Sequence, residues 1–190
     1  YQRLLTIESQ FSELEPLDRL WWLIRKAQCE NLLYFYTKFE DSLVAAKKLV
    51  KLTTPLEINA RIAHFEGLSL QRAGKYQSSR SQFKLAMKLA EQENIHHIYI
   101  KAKLELAYTY SLAELFETSL QDMQEAYVEA FALNDRFLIA MINETYGAIY
   151  GYMRQNERSI EYYQKALDSY ERLGYKAHIA EAIYGLASTY

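Results

Sequence analysis

The sequence predicts an all-α solenoid of paired helices, with about four and a half hairpin units behind one leading helix. Three observations carry this reading. Segments recur at a spacing of forty: "FEGLSL" (65–70), "LELAYTY" (104–110), "ETYGAIY" (144–150) and "YGLASTY" (184–190) place Gly67, Ala107, Gly147 and Ala187 in one register. Self-similarity at such a period marks a stack of supersecondary units, each of which buries its apolar face only against its neighbours. The 190 residues include only 6 glycines and 2 prolines, which favours long helices with short connections. No stretch keeps the strict alternation that a half-buried strand requires.

A leading helix is expected over about 1–13. "EPLD" (15–18) opens the first long helix at Pro16, a residue suited to the first helical position, and that helix is read to 36. Its partner covers about 40–52, where "EDSLVAAKKLV" matches the later second helices at a spacing of 37 and puts Ser42 in their serine register. "TTPLE" (53–57) offers Thr54 as N-cap, Pro55 at the first position and Glu57 as the return partner of a capping box. This opens a helix over 55–73. Second helices at 77–92, 117–132 and 157–172 repeat Ser79, Ser119 and Ser159, then Ala86, Ala126 and Ala166. First helices alternate with them at 95–113, 136–153 and 176–190. Asn134 or Asp135 caps the 136–153 helix, and Gly174 ends the 157–172 helix in the left-handed conformation. The small residues are expected to let neighbouring backbones approach while Tyr and Leu fill the space beside them. The whole chain then forms one domain, with units at about 16–53, 54–94, 95–134 and 135–174 and a half unit at 175–190. Both ends look cut, and the protein is expected to continue past Tyr190. The uncapped last helix offers a surface for self-association.

Composition narrows the function. A net charge of −2, with half the residues hydrophobic, leaves no electrostatic footprint for nucleic acid or an anionic membrane. No apolar run approaches the roughly 18–20 residues of a membrane span. The single cysteine, Cys29, excludes an internal disulfide and reads as a buried, inert thiol. Chemistry-bearing motifs are missing: no phosphate loop, no G-x-S-x-G, no HExxH and no CxxC. His96 and His97 are adjacent at a helix start and do not face a common point, so a metal there would need ligands from elsewhere. No catalytic residue, cofactor or metal site is expected. Of "WW" (21–22), one indole should be core and the other should meet the leading helix or a partner. Glu66 stands where other units have Leu106, Tyr146 and Leu186; it reads as a partly exposed side chain, or as a buried acceptor for Arg61 or a ligand.

A small residue, an aromatic three positions later, a turn and then A-x6-A resembles the tetratricopeptide repeat, with "GLSLQRAGKYQSSRSQFKLA" (67–86) the clearest copy. The period of forty is similar to the longer-helix variant of bacterial signalling proteins, and the resemblance runs from Leu17 to Tyr190. Departures are the missing early tryptophan, replaced by Ala63, Lys103, Asn143 and Ile183, and the missing closing proline, replaced by Glu91, Phe131 and Glu171. The resemblance implies a right-handed superhelix whose first helices line a concave wall. In that register the wall holds Arg61, His64, Leu68 and Gln71; Lys101, Leu104, Tyr108 and Ser111; Met141, Glu144, Ala148 and Gly151; and Glu181, Tyr184 and Ser188. Arg61 and Lys101 stand toward one end and Glu144 and Glu181 toward the other, with aromatics between. The family's carboxylate clamp is not matched: Leu68, Tyr108 and Ala148 occupy its asparagine positions, and Asn31 alone makes no clamp.

The implied function is a non-catalytic module that takes a protein or peptide ligand on the concave surface. It resembles the sensor region of a membrane-bound GGDEF-type diguanylate cyclase, which would be periplasmic. Alternatives are the helical region of a MalT-like regulator or a peptide-pheromone receptor or adaptor, which would be cytoplasmic.

Overall fold

The computed structural model describes residues 1–6, 11 and 14–189. Its helices are α1 (Gln2–Thr6), α2 (Pro16–Leu32), α3 (Tyr36–Leu49), α4 (Leu56–Arg72), α5 (Tyr76–Gln92), α6 (His96–Ser111), α7 (Phe116–Ala132), α8 (Arg136–Tyr152), α9 (Asn156–Leu173) and α10 (Lys176–Thr189). No strand occurs among the described residues. The hairpins α2/α3, α4/α5, α6/α7 and α8/α9 stack in chain order, with α10 packed on α9, and the chain is a helical solenoid. Of the expected leading helix, α1 covers only the first part, and residues 7–10 and 12–13 lie outside the described residues, as does Tyr190.

One backbone device makes most of the turns. Tyr34, Gly74, Glu114 and Arg154 take φ of 58, 71, 59 and 58° inside the hairpins, and Asn94, Asn134 and Gly174 take 55, 52 and 75° between them. The N–H that follows each bonds back to the last helical turn, as in Lys75 to the Leu70 carbonyl at 2.9 Å and Gln155 to that of Tyr150 at 2.9 Å. This satisfies carbonyls that a helix end would otherwise orphan. Only the glycines and asparagines announce the conformation locally.

These turns stand forty residues apart from the first hairpin onward, which corrects the spacing of 37 read there. The α2–α3 turn falls four residues earlier than expected, since α2 ends at Leu32 instead of 36 and α3 begins at Tyr36 instead of 40. In the true register Ala27 joins Gly67, Ala107 and Gly147, while Ala46 joins Ala86, Ala126 and Ala166, all of them buried. Phe39, not Ser42, takes the serine register. Ser79, Ser119 and Ser159 each donate a hydroxyl hydrogen bond to the small residue twelve positions back, reaching the carbonyls of Gly67, Ala107 and Gly147 at 2.8, 2.7 and 2.8 Å.

The small residues make room for side chains, not for backbone. A Cβ added at Gly67 would lie 2.3 Å from the Phe83 ring, and one added at Gly147 or Gly185 would lie 2.8 or 2.3 Å from Tyr163. Leu43, Phe83, Met123 and Tyr163 form the facing register of bulky residues, and Met123 shares a core cluster with Ala107. Large thus meets small across every hairpin, which is how a dry interface reaches interior packing density.

Ser42 has another task. It donates to Oε2 of the fully buried Glu30 at 2.7 Å, and the Tyr1 hydroxyl donates to Oε1 at 3.0 Å. The N-terminal segment is thereby tied to the first hairpin, with Trp22 Nε1 donating to the Leu4 carbonyl at 3.0 Å and the indole tilted against the Phe11 ring, centroids 4.9 Å apart. One indole, Trp22, is therefore both core and the contact to the leading segment; Trp21 is half-buried beneath the Arg25 and Arg61 guanidiniums.

Other local expectations are revised. Thr54 makes no capping box: its hydroxyl accepts from the Lys51 N–H at 2.8 Å, and Glu57 pairs with Arg61 at 2.8 Å. Asp135 does cap α8, its Oδ1 accepting from Phe137 and Leu138 N–H at 2.9 and 3.0 Å. Cys29 is half-buried, not buried. Glu66 is half-buried and pairs with Lys47, leaving Arg61 to Glu57. Lys103, in the place of the missing tryptophan, is buried yet reaches Glu125 and Glu129 at 2.9 and 3.3 Å. Among the described residues, no helix is long and apolar enough to cross a membrane.

Candidate functional site

The first helices α4, α6, α8 and α10, with the C-terminal end of α2, surround a concave groove in two lobes of about 720 and 710 Å³. The groove is closed along one side because the superhelix brings its first hairpin turn to its last helix. There the Tyr34 hydroxyl donates to Glu181 Oε1 at 3.0 Å. All the wall residues named from sequence line it, with the exception of Ser111. That serine is buried, its hydroxyl donating to the Tyr108 carbonyl at 2.7 Å one turn back.

The first lobe is basic. Arg61, His64, His97 and Lys101 line it together with Phe65, Phe137 and Met141. Arg61 is already engaged, by Glu57 and by the face of Trp21. Lys101 lies over the Phe137 ring at 5.3 Å, and among the described residues no carboxylate comes within ion-pair distance of it. Burial, helped by the Arg61 charge, brings its ammonium down to about 8. Burial also lowers His64, to about 3, with Lys101 and Arg61 adding to the effect, so this imidazole is neutral. Its Nε2 is buried without a hydrogen-bond partner.

The junction of the lobes is acidic. Glu105, Glu144 and Glu181 belong to both lobes, with Leu68 and Thr145 beside them. Burial raises Glu105 to about 7 against the opposing hydrogen bond from Gln71, whose Nε2 lies 3.3 Å away and also donates to Thr109 at 2.8 Å. Burial raises Glu144 to about 7, and the neighbouring Glu181 adds to the shift. Tyr170 donates to Glu144 at 2.6 Å, and His178 Nδ1 lies 2.8 Å from Glu181 and 3.9 Å from Glu144.

The second lobe is lined by tyrosine: Tyr34, Tyr36, Tyr108, Tyr152, Tyr163 and Tyr184. Tyr108 and Tyr152 share a hydrogen bond at 3.0 Å, and burial raises the Tyr108 hydroxyl above its usual range. Tyr184 lines the opening and is 76% exposed. The order is therefore basic, acidic, aromatic; the aromatics lie beyond the acids and not between the two charges.

Sequence reasoning missed Glu105, His178 and Tyr34. Glu105 follows Lys101 by four residues and so shares its helix face, a signal that was present. His178 precedes Glu181 by three residues and so shares its face of α10, a signal also present, whereas Tyr34 lies in a turn and only the closure of the superhelix brings it to the groove. Asn31 also lines the groove but accepts from Arg72 at 2.8 Å, which ties α2 to α4.

No family model matches the chain, and no curated protein matches it. Among solved structures, the chain is similar to a Rap protein complexed with Competence and Sporulation Factor, with a TM-score of 0.82 at 14% identity. That match covers 98% of this chain and 52% of the other, so the chain spans about half the length of the Rap protein. It is also similar to BtubC (BKLC) from P. vanneervenii, with a TM-score of 0.64 at 14% identity over 92% of this chain and 73% of that one. These likenesses bear on fold alone, and the fold is a tetratricopeptide-like helical repeat.

Proposed function

We propose that this domain is a non-catalytic receptor for a peptide or an extended segment of a protein partner, bound in the concave groove. The observation that carries the reading is the groove itself: two connected lobes lined from seven helices, with an uncompensated lysine and an imidazole whose Nε2 has no partner in one and a wall of tyrosines in the other. Buried polar groups left open in a cleft are recognition elements, because a ligand that pairs them recovers their desolvation cost. Tyrosine anchors supply large contact area at low entropic cost. A ligand fitted to this order carries an acceptor or carboxylate for Lys101 and His64 and apolar or aromatic side chains for the Tyr108 lobe. Arg61, Leu68, Gln71, Glu144 and Tyr184 complete the contacts. The Rap protein's complex with Competence and Sporulation Factor is consistent with this use of the fold.

A peptide receptor or adaptor that acts through the repeats themselves is one setting for such a groove. An input role for a diguanylate cyclase or a MalT-like regulator rests on the sequence resemblance.

Selection of a random linear peptide library on the immobilised domain tests the reading. Enriched peptides should share one motif and lose at least about tenfold in affinity against Lys101→Glu and Tyr108→Ala. Peptides that bind both variants as well as the parent would overturn it.

A further inference from the structure

The polar junction of the two lobes has a chemistry that peptide capture does not require. Glu144 of α8 and His178 and Glu181 of α10 present one ligand atom each, and all three atoms lie within 4.8 Å of one another. His178 and Glu181 are three residues apart on one helix and so share a face. Nδ1 of His178 is 2.8 Å from Glu181 Oε2 and 3.9 Å from Glu144 Oε2. These separations bracket the roughly 3.3–3.5 Å between ligand atoms implied by tetrahedral zinc with bonds near 2.0–2.2 Å.

The surroundings hold each ligand in place. The Tyr170 hydroxyl donates to Glu144 at 2.6 Å, and its ring stacks on His178 with centroids 4.9 Å apart. Phe137 meets the same imidazole edge-on at 5.2 Å. Tyr34 occupies Oε1 of Glu181, leaving Oε2 turned toward His178. Such outer contacts orient metal ligands and set their basicity. One further fact points to a ligand at this junction. Nδ1 of His178 is buried without a well-formed hydrogen bond, although Glu181 is close.

We propose that Glu144, His178 and Glu181 form a binding site for a divalent transition-metal ion of the zinc class. One imidazole with two carboxylates suits zinc and its neighbours, whereas magnesium and calcium favour all-oxygen sets. The open side faces the groove, where water or a bound chain would complete the coordination. The proposal does not depend on the peptide reading, and its test contains no peptide.

The test is zinc titration of the full chain by calorimetry, carried out without an affinity tag and in a His96→Ala background that breaks up the His96–His97 pair at the start of α6. One equivalent should bind, with affinity falling at least tenfold in His178→Ala and in Glu144→Gln. Tyr170→Phe, which keeps all three ligands, should weaken binding by about 10–100-fold, the range for loss of an outer partner. X-ray absorption of the loaded protein should show one imidazole nitrogen with oxygen neighbours and no sulfur. If His178→Ala unfolds, the conservative Glu181→Gln takes its place in the comparison. Absence of zinc uptake, or uptake unchanged in folded His178→Ala or Glu181→Gln, would overturn the site.

Discussion

Tyr34 and Glu181 stand 147 residues apart in sequence, yet their side chains meet at 3.0 Å across the mouth of the groove. The first hairpin turn and the last helix thus touch once the superhelix has advanced through the intervening repeats. Tyr34 is 55% exposed, so the bond lies near solvent, and its net worth to stability is about 1 kcal/mol or less. Tyr34→Phe should hardly move the unfolding midpoint. It should speed amide exchange in α10 several-fold while leaving α4–α7 unchanged. Hydrogen-exchange mass spectrometry reads both, and equal acceleration in all helices would contradict a closure role.

Gly67 and Phe83 test the pairing of large with small across the hairpin. A methyl group at Gly67 would fall 2.3 Å from the Phe83 ring, so Gly67→Ala should cost about 1–3 kcal/mol by overpacking. Adding Phe83→Met recreates the pair that Ala107 and Met123 make one unit on. The double variant should recover most of the loss in urea denaturation, and additive losses would show that the two positions are not coupled.

The serines separate two kinds of buried hydrogen bond. Ser119 gives its hydroxyl to a carbonyl inside α6, so Ser119→Ala should cost about 0.5–1.5 kcal/mol. Ser42 donates to the fully buried Glu30 carboxylate. Ser42→Ala removes a bond to a charged group, worth about 1.5–3 kcal/mol. Chemical denaturation of the two variants should therefore rank Ser42→Ala as the more damaging.

Glu105 predicts a pH dependence of stability. Its folded pKa of about 7 lies above the ordinary 4.5, chiefly through burial. Between these values the native state holds a proton that the unfolded state releases, so the Glu105 contribution falls as pH rises from about 4.5 to 7, by up to about 3 kcal/mol. Gln71 and Arg72 of α4 and Lys101 of α6 oppose the shift, and Glu181 of α10 reinforces it. His64 works the other way, gaining stability as pH rises from about 3 to 6.5. Burial of Glu144, also raised to about 7, adds a decline of the same sign over the same range. Glu105→Gln should therefore remove about half of the decline, and Glu105→Gln with Glu144→Gln nearly all of it. Both should leave the His64 rise. Midpoints measured from pH 4 to 8 would reveal an unchanged profile if Glu105 were ionised throughout.

Much of this protein was legible in its residues, because packing in a repeat array is local and periodic. The recurrences of Gly67, Ala107 and Gly147, of the serines and of Ala86, Ala126 and Ala166 each report a contact made within one hairpin or with the next. Helix order and most helix bounds followed from that period, while the wall residues from Arg61 to Ser188, Ser111 excepted, came with the tetratricopeptide resemblance. The first hairpin was misplaced because Ser42 imitates a serine register that Phe39 fills, and the αL turns at Tyr34, Glu114 and Arg154 carry no local signal. A side chain unfavourable at positive φ is held there only by the stacked helices on either side.

The site's polar chemistry belonged to the tertiary structure. Sequence placed Lys101, Glu144 and Tyr108 on one wall, but not Tyr34 against Glu181, nor His178 between two carboxylates. Those meetings depend on how far each hairpin rotates on the last, and small rotations set by side-chain volume accumulate along the stack. Burial of Glu105 and His64 is a product of the same closure: the residues determine which groups can titrate, and the curvature decides how much water they keep.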